Sequence, residues 1–132
     1  MLKRLLLACA LALAAFVGGP IDALAQVYNG PVTFSLTSAG ATAPFTPTNL
    51  DFNLNIQAGT GSAVCYIERR ADGVNWTPLT VAGQPFPVLT YTGAPISESV
   101  HEAQPKVAYR LDCGLLSGTS FTSGTVPGSF TQ

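Results

Sequence analysis

Charge is scarce in this chain, and histidine, methionine and tryptophan occur once each. Only 10% of the residues are Asp, Glu, Lys or Arg, and past residue 25 they form no run of either sign. There Arg69, Arg70, Lys106 and Arg110 stand against Asp51, Glu68, Asp72, Glu98, Glu102 and Asp112, so acid exceeds base by two. Nucleic acid and anionic membranes are held by clustered Lys and Arg that release counterions, and neither partner is expected here. His101 alone leaves a tetrahedral zinc site short of ligands, and neither a metal nor a cofactor is expected. No Ser stands in a G-x-S-x-G elbow. No helical periodicity appears after Val17, and no room remains for a second domain.

The N-terminal stretch "MLKRLLLACALALAAFVGGPIDALA" does carry a signal. Lys3 and Arg4 precede an apolar run from Leu5 to Val17, and Gly18, Gly19 and Pro20 then stop any helix. Ala23 and Ala25 supply the small residues of an A-x-A cleavage site. This predicts a signal peptide over 1–25, cleaved between Ala25 and Gln26, and a secreted or periplasmic protein. The run is shorter than the roughly 18 residues that read as a membrane span, so no stable anchor is expected. "LLAC" ending at Cys9 has too little apolar sequence before it for a lipoprotein signal.

The remainder, 26–132, alternates in the period of two that a half-buried strand requires. "VTFSLTS" at 32–38 sets Val32, Phe34 and Leu36 on one face, and "LDFNLNIQ" at 50–57 does the same with Leu50, Phe52, Leu54 and Ile56. "AGATAPFTPTN" between them reads as a connection. Further strands are expected over 63–70, 76–81, 88–91, 97–102 and 107–113, with one or two in "SFTSGTVPGSFTQ". Seven or eight short strands predict an all-β, immunoglobulin-like antiparallel β-sandwich. Its expected core is Phe34, Leu36, Phe52, Leu54, Ile67, Trp76, Leu79, Tyr109 and Leu111.

Cys9 leaves with the signal, so Cys65 and Cys113 form an even pair in an exported chain and are expected to be disulfide-bonded. Both lie on core-facing positions. Glu68 and Arg110 alternate to the other face, where a cross-strand surface pair is predicted, worth well under about 1 kcal/mol. In "IERRADGVNWTPLT", Asp72 and Gly73 suit a tight hairpin turn and Trp76 starts the return strand over the core. Catalysis by Asp72 is the minor reading.

Other constellations carry less. "DFNLN" at 51–55 opens like a calcium loop, but Ile56 and Ser62 occupy the positions where that loop needs Gly and Glu. "GTG" at 59–61 is too short to cradle a phosphate. His101 between Glu98 and Glu102 can be drawn as a base with an orienting carboxylate, yet acid–base sites are recognised by geometry rather than by presence. Asn75 opens an N-x-T sequon.

"CYIERRADGVNWTPLT" and "HEAQPKVAYRLDCGLLSGT" together resemble a family of small all-β proteins of tailed phages and prophages. Glu68, Arg69, Asp72, Gly73, Trp76 and Pro78 match the first motif of that family. Glu102, Tyr109, Arg110, Leu111, Cys113, Ser117, Gly118 and Thr119 match the second. The resemblance implies a compact β-sandwich associated with virions or prophage regions, with no catalytic residues to carry over. Combined with the signal, it implies an exported, non-enzymatic module acting in binding or assembly, with a protein, virion or cell-surface partner. A surface-appendage subunit is the second reading, and a small secreted hydrolase or glycan-binding accessory domain the third.

Overall fold

A computed structural model describes residues 30–101, 103, 104 and 106–132. The expected signal peptide, with Cys9 and the Ala25–Gln26 junction, lies outside the described residues, as does Glu102. Within them the chain is all-β, built of twelve strands with no helix. In chain order these are β1 Val32–Leu36, β2 Gly40–Ala41, β3 Phe52–Ile56, β4 Ser62–Arg70, β5 Thr77–Pro78 and β6 Thr80–Val81. They continue with β7 Gln84–Pro85, β8 Leu89–Tyr91, β9 Ile96–Val100, β10 Ala108–Cys113, β11 Ser120–Ser123 and β12 Val126–Thr131.

A four-stranded antiparallel sheet runs β1-β12-β3-β9. Apolar residues alternate to one side of each strand: Phe34 and Leu36 in β1, Val126 and Phe130 in β12, and Phe52, Leu54 and Ile56 in β3. Gly128 faces Phe34 in register, and the Phe34 ring occupies the space that a side chain there would take. A six-stranded sheet centres on β4. It pairs with β10 over Tyr66–Arg70 and with β11 over Ser62–Val64, while β5 meets it at Glu68 and Arg69 and β8 at Ala63–Cys65. β2 extends the sheet beyond β10, and β6 and β7 form a separate hairpin.

The two larger sheets share one core. Phe52 from one and Tyr109 from the other approach to 4.9 Å between ring centroids, inside the range of favourable aromatic pairs. Phe45 stacks on Phe130 at 5.3 Å. The sequence pattern left Phe45 in a connection, but it is 1% exposed and its backbone exchanges hydrogen bonds with Tyr109, both at 2.7 Å. An isolated bridge of this kind has no period to read.

Three expectations change. The strand expected over 76–81 divides at Leu79, which turns into the core and donates its N–H to Ile67 while accepting from Phe86. β5 then stays with β4, and β6 folds onto β7. Trp76 is not in the core: it is half-buried on the outer side, because the chain crosses to that face before reaching Thr77. Phe34 and Leu36 are only partly buried, as β1 is a sheet edge.

Candidate functional site

Cys65 and Cys113 are disulfide-bonded, with Cα atoms 4.3 Å apart. The β4–β10 register places them opposite each other on adjacent strands. Ile67 accepts its hydrogen bond from the β5 side, and Leu111 exchanges with Thr42 on the β2 side. Ile67 and Leu111 are therefore a non-hydrogen-bonded pair, and so is the cysteine pair two residues along. That position gives the short Cα separation a direct bridge needs. The bond thus staples neighbouring strands of one sheet, with both residues 0% exposed.

On the opposite face of these strands, Glu68 and Arg110 lie directly across from each other. Arg110 donates from Nε to Glu68 Oε2 at 2.6 Å. The expected pair forms, but not at the surface: the Glu68 side chain is 1% exposed and that of Arg110 19%. Alternation assigned the face correctly, and the covering segment buried it. After Arg70 the chain makes a turn and returns over this face with Trp76. Arg110 and Arg70 sit above the Trp76 ring at 4.3 and 4.9 Å from its centroid, within cation–π range. Pro78 of β5 stands beside Glu68.

Asp72 organises that turn. Its Oδ1 accepts from the backbone N–H groups of Val74 and Asn75 at 2.9 and 2.7 Å, and its Oδ2 from the Asn75 amide at 2.8 Å. Gly73 takes φ 75°, which its lack of a Cβ allows. The Asn75 and Val74 backbone bonds, then the Asn75 side chain, lower the Asp72 pKa from 3.8 to about 2. Its carboxylate is committed to the turn.

Asp112 does the same for the following loop. Its Oδ1 accepts from the N–H groups of Gly114, Leu115 and Leu116 and from the Thr119 hydroxyl, all within 3.2 Å. Its other oxygen is fully buried without a hydrogen bond and lies 3.8 Å from Arg110. Glu68, Arg110 and Asp112 are thus one ion cluster, and the two sequence motifs meet across β4 and β10. His101 pairs with Asp51 at 3.2 Å, both side chains well exposed. Glu98 lies on the core-facing side of β9, level with Leu54, a register that sets it apart from His101.

A cavity of about 310 Å³ opens at the end of the shared core where β4 finishes. Arg69, Tyr109, His101 and Gln104 supply its polar lining, and Leu79, Val81 and Val100 its apolar wall. Ala82 and Gly83, with φ of 50° and 76°, form the tight β6–β7 turn at its rim. Consecutive positive φ values mark a turn that favours Asn-Gly, so Ala82 is strained there. Tyr109 Oη accepts from the Gln104 N–H at 2.9 Å and holds that wall in place. The cavity escaped sequence reading because its lining comes from four separate segments; its one signal was Arg69, a charge on a core-facing position of β4.

No group of three or more His, Cys, Asp or Glu among the described residues is arranged to hold a metal. No helix among them is long and apolar enough to cross a membrane. No family model, curated protein or solved structure matches the chain.

Proposed function

We propose that this chain is an exported β-sandwich module, immunoglobulin-like in general arrangement, that acts in binding or assembly and not in catalysis. The likeness of its two motifs to tailed-phage proteins motivates this reading, and the disulfide suits an oxidising compartment outside the cytoplasm. One difference from immunoglobulin domains is plain: their disulfide joins the two sheets, whereas Cys65–Cys113 joins strands of one sheet.

The observation that carries the binding role is the half-exposed Trp76, whose ring contacts two guanidinium groups. Trp and Arg dominate the energetics of protein interfaces when they are positioned in advance. Val74, 75% exposed on the same hairpin, adds apolar surface beside it. Asp72, Glu68 and Asp112, by contrast, are engaged in architecture, which favours a structural over a chemical use of the acids.

Fractionating producing cells into cytoplasm, periplasm, medium and induced phage particles tests the proposal. The processed chain beginning at Gln26 is expected outside the cytoplasm, co-sedimenting with envelopes or particles. W76A combined with V74A is expected to release it to the soluble fraction. Unprocessed protein confined to the cytoplasm would overturn the export half. Turnover of a hydrolase panel that is lost in H101A would overturn the rest.

A further inference from the structure

We propose that the cavity at the end of the core binds a small organic acid, its carboxylate on Arg69 and its apolar body against Leu79, Val81 and Val100. Arg69 occupies a core-facing position of β4, in series with Ala63, Cys65 and Ile67 and directly across from Tyr109. A charge on such a position, half withdrawn from water, calls for a compensating partner. Arg69 makes no ion pair with any described residue: Arg110 holds Glu68 and Asp112, Asp51 holds His101, and Asp72 is tied into its turn. No described carboxylate lines the cavity either. Among the described residues nothing takes the partner position, which a carboxylate entering from outside would fill.

The remaining lining narrows what that is. A guanidinium presents a planar fork that matches a carboxylate in two parallel bonds. His101 and Gln104 add further polar groups at the mouth, while half-buried Val81, backed by the buried Leu79 and Val100, offers the apolar contact that a bare inorganic ion cannot use. At about 30 Å³ per water, the volume equals roughly ten waters, enough for a small aromatic or branched acid. This site is separate from the Trp76 surface and does not depend on export or assembly.

Benzoate, with about nine non-hydrogen atoms, is the probe of matching size. Backbone amide shifts of the purified, disulfide-bonded protein are followed during titration with benzoate, with benzyl alcohol, and with inorganic phosphate. Saturable shifts at Leu79, Val81, Gly83, Val100 and Gln104 are expected with benzoate, with benzyl alcohol and phosphate each at least about tenfold weaker. R69Q is expected to weaken benzoate by about tenfold or more, and R69K by less, since it keeps the charge but loses the fork. Equal binding of benzyl alcohol would overturn the role of the charge, and equal binding of phosphate that of the apolar wall. Absence of any saturable shift with benzoate would overturn the site itself.

Discussion

The outward faces of the two larger sheets use polar residues in opposite ways. On the four-stranded sheet, Asn53, Asn55, Ser97, Ser99, Ser129 and Thr131 are neutral and open or half-open to solvent. They pair sideways in short hydrogen bonds, Ser97 to Asn55 at 2.8 Å and Ser99 to Asn53 at 2.7 Å. On the six-stranded sheet, Glu68 and Asp112 are charged and almost fully buried, with Arg110 between them. Both sets leave their strands on the side away from the core. What differs is the cover: the 71–76 turn brings Trp76 over Arg110, which holds Glu68, and the loop wrapped by Asp112 follows at the other end. Alternation decides the face from which a side chain leaves, and the segment laid over that face decides its dielectric.

That contrast can be tested in order of expected effect. Removing the staple beneath the charged face, by reduction or by C65A with C113A, is expected to cost up to about 4 kcal/mol for a loop of 48 residues. Urea unfolding measures it, and an unchanged midpoint would mean that the cover alone holds β4 to β10. Next, R110A strands Glu68 in a dry site and is expected to cost about 3 kcal/mol. Adding E68Q removes the buried charge and should recover much of that loss. A loss under about 0.5 kcal/mol for R110A would place the pair in the ordinary surface class.

The turn that carries the cover gives a pH signature. The folded-state pKa of Asp72 is depressed from 3.8 to about 2, so its contribution is fully present above the unfolded value and lost as pH falls through about 2. Asn at this position keeps an acceptor but no charge. The melting temperatures of the unaltered protein and D72N are therefore expected to converge on acidification from about pH 5 to about pH 2. A constant gap would assign the effect to shape alone. The smallest change is on the open face, where S99A is expected to stay within about 0.5 kcal/mol by the same unfolding measurement. A larger loss would show that the neutral lattice is as structural as the buried ions.

Much of the scaffold was readable from period alone. β1, β3, β4 and β10 fall where alternation predicts them, within two residues at each end, because one buried face imposes a strict period of two. β2, β7 and the Phe45 bridge were not readable: pairs of one or two residues carry no periodicity, and they exist only because a neighbouring strand offers unpaired backbone groups. Trp76 shows the same limit. Its apolar bulk suggested the core, but two arginines on the outer face competed for the ring and a turn delivered it to them.

The all-β class, the inward placement of Cys65 and Cys113, and the outward face shared by Glu68 and Arg110 were set by the sequence. These follow from local alternation, because one buried face imposes a period of two. Tertiary structure alone decided that Glu68 is dry, that Trp76 lies outside the core, and that Arg69, Tyr109, His101 and Gln104 surround one cavity. Burial and cavities are properties of what packs over a residue from elsewhere in the chain, and no local pattern encodes them.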